Sequence, residues 1–157
     1  SKLSKEKIIN QAIKFQLEGN VSEAAKTYKY CLNQGFNDPR IFSNYGIILK
    51  DLGKLEEAEI STRKAIDLNP NYAEAHYNLG NIFRDLGKLE EAELSTRKAI
   101  ELKADFADAH LNLASILREL GKNKDSKLCL EKTLEIRPWS IQGLYGLHYK
   151  FEIESSS

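Results

Sequence analysis

Residues 51–66 read DLGKLEEAEISTRKAI, and residues 85–100 read DLGKLEEAELSTRKAI. The two stretches stand 34 positions apart and differ only at Ile60 and Leu94. The offset continues in both directions. Gly19, Gly53, Gly87 and Gly121 share one register, Ala24, Ala58, Ala92 and Ser126 a second, and Phe15, Leu49, Phe83 and Leu117 a third. Registers that keep step over four units mark one supersecondary element copied along the chain.

Each unit reads as two helices. In the unit that begins at Ala73, the segment AEAHYNLGNIFRDL spaces Tyr77, Leu79, Gly80 and Phe83 at helical intervals. Gly87 then interrupts it, as expected of the left-handed residue that closes a last helical turn. The second segment, LEEAELSTRKAIEL, carries apolar Leu89, Ala92, Ala99, Ile100 and Leu102, with Glu93 and Arg97 in the favourable Glu-first order. Pro70 and Pro138 end second helices, since proline cannot continue one. Neither helix has enough apolar face to stand alone, so stacked neighbours must bury it. The expected fold is all-α. Small residues at Ala12, Gly46, Gly80 and Ala114 are expected to let paired helices approach closely, with Phe15, Tyr28, Phe42 and Leu130 filling the space between units.

Composition narrows the function classes. The 157 residues hold 23 Lys plus Arg against 23 Asp plus Glu, a formal charge of zero. That balance argues against a general nucleic-acid binder. No run is long and apolar enough for a membrane span, and the N-terminus SKLSKEKIIN has no signal-peptide stretch. Two cysteines, Cys31 and Cys129, cannot build a disulfide framework or a tetrahedral metal site alone and fit a reducing, cytoplasmic setting. The absence of a starting Met reads as Met removal before Ser1 or as a piece of a longer protein. His76 and His110 are one repeat apart and too distant to share a metal. The LGK triplets lack phosphate-loop spacing. No catalytic constellation, metal site or cofactor is expected, so the chain is not read as an enzyme.

The period, the Leu79–Gly80 pair, Phe83, Gly87, Ala92, Ala99 and the unit-ending Pro70 together resemble the tetratricopeptide repeat. The resemblance covers 5–38, 39–72, 73–106 and 107–140, with 141–153 similar to the first helix of a fifth unit and 154–157 a loose tail. It implies a right-handed solenoid of four helix-turn-helix repeats plus a capping helix. Gln11, Phe36, Ala104 and Ser126 depart from the family pattern. The apolar last segment, with Tyr145, Tyr149 and Ile153, suggests that the protein continues or that the solenoid ends self-associate.

The resemblance implies that first helices line a concave groove. Asn10, Asn44, Asn78 and Asn112 share one position there, and Gly146 ends the row. A carboxamide can bond a peptide N–H and C=O together. The row resembles the asparagine ladder of O-linked N-acetylglucosamine transferases, which holds peptide backbone. The alternative is that Asn bridges neighbouring helices. The same face offers Ile47, Lys50, Tyr77, Asn81, Arg84, Leu111, Ser115 and Arg118. Lys50, Arg84 and Arg118 are each followed by an acid, so ion pairing between units competes with ligand contact. Chaperone-binding members clamp a terminal carboxylate. The corresponding positions here hold Ile9, Ile13, Ser43 and Glu74, with Asn44 alone matching, so no such clamp is expected. The expected function is binding of a protein partner, as an extended peptide or a helix, in the groove. Alternatives are the non-catalytic, substrate-recruiting N-terminal arm of a larger transferase and a self-associating scaffold.

Overall fold

A computed structural model describes residues 2–138. The segments expected as a terminal helix (141–153) and tail (154–157) lie outside the described residues. Eight helices and no strand occur among the described residues: α1 (Lys2–Leu17), α2 (Val21–Asn33), α3 (Pro39–Asp51), α4 (Leu55–Leu68), α5 (Ala73–Asp85), α6 (Leu89–Leu102), α7 (Ala107–Glu119) and α8 (Asn123–Ile136). Three-residue connections fold α3 onto α4, α5 onto α6 and α7 onto α8. At the end of α5, Gly87 sits at φ 77°, and the Lys88 N–H donates to the Phe83 carbonyl at 2.8 Å, closing the turn. Pro70 follows α4 by two residues, as the sequence requires.

Each pair is sealed along a seam of small residues. Ala58, Ala65, Ala92 and Ala99 are wholly buried, and so are Thr62 and Thr96. A Cβ added at Gly80 would stand 2.4 Å from Thr96 Oγ1 and 3.4 Å from the Ala92 carbonyl oxygen. Gly46 meets Thr62 at the same 2.4 Å. The first unit solves the same position with Ala12 beside a fully buried Tyr28.

Successive pairs stack so that α1 meets α3, α3 meets α5, and α5 meets α7, while no two even-numbered helices touch. Odd helices crowd together and even ones splay apart, so the array curves with its odd helices on the inner wall. Between pairs, Phe83, Leu79, Ala92 and Ile116 form one cluster, and Leu49, Ala58 and Ile82 another. α1 breaks this pattern on its outer side. Where α5 buries Ala73, Ala75, Leu79 and Ile82, α1 exposes Lys5, Lys7, Gln11 and Lys14. It therefore presents a polar, largely cationic face on that side.

Burial pushes the Tyr28 phenol up to about 12, and an Asn44 hydrogen bond only partly opposes this. Burial also raises Tyr45 and Tyr72. A raised folded-state value means that an unfolded chain releases its phenolic protons first, so stability is intact below about pH 10 and is lost as pH climbs toward 12. Tyr28→Phe should reduce that alkaline loss in urea melts taken across the window, while costing about 1 kcal/mol at pH 7 for its bond to Gln16. Gly80→Ala should destabilise by about 1–2 kcal/mol despite the better helix former, because Thr96 has no room to retreat. Adding Thr96→Ala should recover most of the loss in a double-mutant cycle.

Candidate functional site

The inner wall is built from three parallel rows on α1, α3, α5 and α7: Ile9, Ser43, Tyr77 and Leu111; Asn10, Asn44, Asn78 and Asn112; and Ile13, Ile47, Asn81 and Ser115. The helical repeat puts these rows on one face. Tyr77, Leu111, Ile47, Asn81 and Ser115 are half-buried, as are Asn44, Asn78 and Asn112. Asn10 is exposed, and Ser43 and Ile9 are buried. Tyr77 leans on Phe106, with ring centroids 5.0 Å apart. Ser115 Oγ donates to the Leu111 carbonyl at 3.4 Å.

The carboxamides reach back to the preceding unit. Asn44 lies in hydrogen-bonding contact with the Tyr28 phenol. Asn78 Nδ2 donates to Ser43 Oγ at 3.0 Å. Asn112 Nδ2 donates to Asn81 Oδ1 at 2.6 Å, and Asn112 Oδ1 accepts from Arg84 at 3.1 Å. Bridging between helices, the alternative left open by the sequence, is thus what these three side chains do in this structure. Each bridging amide keeps a second N–H, because one carboxamide carries two donors.

A fourth row, Gln16, Lys50, Arg84 and Arg118, runs along the same helices. Gln16 accepts from the Tyr28 hydroxyl at 2.7 Å and donates to the Asn44 carbonyl at 3.3 Å. Lys50 lies 3.8 Å from Asp85 of the next unit, and Arg84 Nε donates to Glu119 at 2.7 Å. Pairing between units, read from the alternating signs, therefore holds Lys50 and Arg84. Arg118 is exposed and makes no ion pair among the described residues. On the outer side the same device repeats at another register: Glu59 with Lys88 at 3.7 Å, and Glu93 with Lys122 at 2.8 Å. The Lys122 bond, helped by Arg97, holds the Glu93 carboxyl below its usual range.

The histidines serve turns. His76 Nε2 and His110 Nε2 each lie 2.8 Å from a carbonyl oxygen six residues back, of Pro70 and Ala104. Each ring donates there and staples the loop that precedes its helix. Cys31 is buried in the first unit, and burial pushes its thiol up; Cys129 is half-buried and raised for the same reason. Neither thiol is activated. No cluster of metal-ligating side chains occurs among the described residues, and none of their helices is long and apolar enough to cross a membrane. Sequence reasoning missed Ser43 and Gln16 as partners of the row. Their signal was small or polar character at positions where neighbouring units hold Tyr77, Leu111 or a cation.

The bridging geometry has a measurable consequence. Asn112→Ala should lower stability by about 0.5–1 kcal/mol in urea unfolding, because Asn81 and Arg84 lose a partner. Asn10→Ala should change it by less than about 0.5 kcal/mol.

Comparison with known proteins follows the same lines. Family models described as tetratricopeptide repeat match residues 73–106 and 107–138, and one described as TPR repeat matches 46–83. Together they span 46–138, more than half of the chain. The crystal structure of MamA is similar at TM-score 0.74 and 25% identity, over 92% of this chain and 84% of that one. A Thermobaculum terrenum O-GlcNAc transferase gives TM-score 0.71 and 26% identity over 74% of this chain, but only 22% of its own. YrrB, described as a TPR protein with an unusual peptide-binding site, shares the fold at TM-score 0.73 and 22% identity, over 85% of this chain and 69% of that one. No curated protein is significantly similar in sequence. Helix order, period and these matches agree: the chain belongs to the tetratricopeptide repeat family, whose arrays serve as protein-interaction modules, typically without catalysis of their own.

Proposed function

We propose that the array holds an extended segment of a protein partner against its inner wall. The observation that carries this reading is the row of half-buried carboxamides, fixed by the preceding unit and kept in one register by the repeat. A bonded Asn is already oriented, so a ligand meets a donor whose freedom has been spent. An extended chain advances ~3.3 Å per residue and units repeat at roughly 10 Å, so one Asn would serve about every third ligand residue. Tyr77, Leu111 and Ile47 supply apolar contact, and Asn81 and Ser115 further polar contact. Arg118 supplies positive charge, whereas Lys50 and Arg84 position the units. The peptide-binding site described for YrrB supports the class of ligand.

A second reading is favoured by one observation, the likeness to part of an O-GlcNAc transferase. In that case the groove recruits substrate for a larger transferase, with the same residues in contact. Under either reading the array does no catalysis, needs no cofactor and works in the cytoplasm.

The test compares partners captured by the wild-type chain, an Asn44→Ala, Asn78→Ala, Asn112→Ala variant and an Ile47→Glu, Leu111→Glu variant, with quantitative mass spectrometry. Each variant is first checked for intact helicity and a cooperative melt. Loss of about three hydrogen bonds near 1 kcal/mol each predicts a drop of tenfold or more in capture. Equal capture by all three folded proteins would dispose of the groove.

A further inference from the structure

Charge on the inner wall is balanced from unit to unit, except at one end. At one register of the odd helices, Glu6 pairs with Arg40 at 2.9 Å, Glu74 with Lys103 at 3.7 Å, and Asp108 with Arg137. In the last turns, Lys50 lies 3.3 Å from Asp51 and 3.8 Å from Asp85, and Arg84 Nε donates to Glu119 at 2.7 Å. Arg118 holds the same place on α7, is exposed, and has no ion pair among the described residues. A helix dipole favours a cation in a last turn, which explains why an arginine stands there but not why its anion is missing. The missing anion has a cause in the sequence. Arg84 meets the acid 35 residues ahead, and Lys50 approaches Asp85 by the same step. That step from Arg118 leads to Ile153, which carries no charge.

The wall also changes along its length. Its middle row is Ile13 and Ile47 in the first two units, and Asn81 and Ser115 in the last two. All four are half-buried, so each offers part of its surface to the groove. On α7, Leu111, Ser115 and Arg118 stand at intervals of four and three residues and form one stripe. A segment that crosses Ser115 therefore passes within about one helical turn of Arg118. The carboxamides bond backbone whatever the side chains are, so they select no sequence. Selection falls to the apolar half of the middle row and to the uncovered cation.

We propose, resting on the inner-wall binding set out above, that the partner segment has a fixed order of chemistry: an apolar side chain over Ile13 and Ile47, and an acidic side chain on Arg118. Lys50 and Arg84 do not compete for that acid, because acids of the array already neutralise them. The odd helices touch their neighbours, so they stand about 8–10 Å apart, and the two steps from Ile47 to Arg118 cover roughly 20 Å. An extended chain covers that distance in about six residues.

The probe is a thirteen-residue peptide, acetylated and amidated so that no terminal charge competes. It has a central leucine and a glutamate six positions away on either side, with serine and threonine elsewhere. The two glutamates make its chemistry the same in both chain directions. A second peptide has glutamine for both glutamates, and a third has serine for the leucine. Each is titrated against the full chain by fluorescence anisotropy at about 20 mM salt. The glutamate peptide should bind about threefold more tightly than the glutamine one, and about tenfold more tightly than the one without leucine. In an Arg118→Gln variant, whose melt should be unchanged, the glutamate and glutamine peptides should bind alike. Lys64→Gln removes one charge from the outer helix α4 and should keep the preference. Salt at about 500 mM should erase it.

Two failures are distinguishable. If no peptide saturates, or the Asn44→Ala, Asn78→Ala, Asn112→Ala variant binds every peptide like the wild type, the inner-wall binding falls and this proposal with it. If that variant weakens binding but the glutamate preference is absent, or survives in Arg118→Gln, the wall stands and the acidic partner is overturned. Equal affinity without the leucine overturns the order of chemistry. A wild-type dimer in sedimentation that Arg118→Gln dissolves assigns the arginine to a second copy and overturns the proposal as well.

Discussion

The closeness of paired helices at Gly46 against Thr62 and Gly80 against Thr96 sets the geometry on which the other contacts rest. Without a side chain on the inner helix, the partner's hydroxyl occupies the space a methyl would need. Two helices held so tightly behave as one rigid block. Copies of a rigid block can only stack in a constant way, and a constant step between blocks generates curvature. The odd helices meet one another along the inside of that curve, and the even helices never do. A concave wall and a convex crest follow from that constant step, with the close approach made at glycine in the second and third units and at Ala12 and Ala114 in the first and fourth.

Stacking alone would leave the step between blocks loosely defined. Polar side chains on the inner helices define it. Asn78 to Ser43, Asn112 to Asn81 and Gln16 to the Asn44 backbone each cross from one unit to its neighbour. Arg84 joins two of these devices, since it contacts both Asn112 and Glu119. Most of these groups are half-buried, where hydrogen bonds gain from reduced competition with water and an unpaired partner is costly. The same amides face the groove proposed for a ligand. Positioning the solenoid and presenting donors to a peptide are compatible, because a carboxamide has more bonding capacity than one neighbour uses.

The site was only partly legible in the sequence. The Asn row was visible because a poor helix former recurs at one register through units that otherwise diverge. Its partners were not visible, because Tyr28, Ser43 and Asn81 lie at unequal sequence distances from the amides they meet. Ion pairing between units was legible as alternating sign at Lys50–Asp51, Arg84–Asp85 and Arg118–Glu119, but not its pattern: Lys50 lies between Asp51 of its own unit and Asp85 of the next, and Arg84 pairs with Glu119 of the next. The roles of His76 and His110 were also hidden, since a ring that staples its own loop leaves no pattern beyond the repeat it inherits.

By itself the sequence determined the helices, their ends and their grouping. Those features come from local causes: apolar spacing, a glycine that accepts positive φ and a proline that cannot extend a helix. It also determined that no unit could stand alone. Only the tertiary structure decided which face of each helix turns inward, which carboxamide meets which neighbour, and that Ile60, Leu94 and Leu128 stand outside the core. Those outcomes depend on the angle between rigid blocks, a quantity set by many contacts acting at once and carried by no single residue.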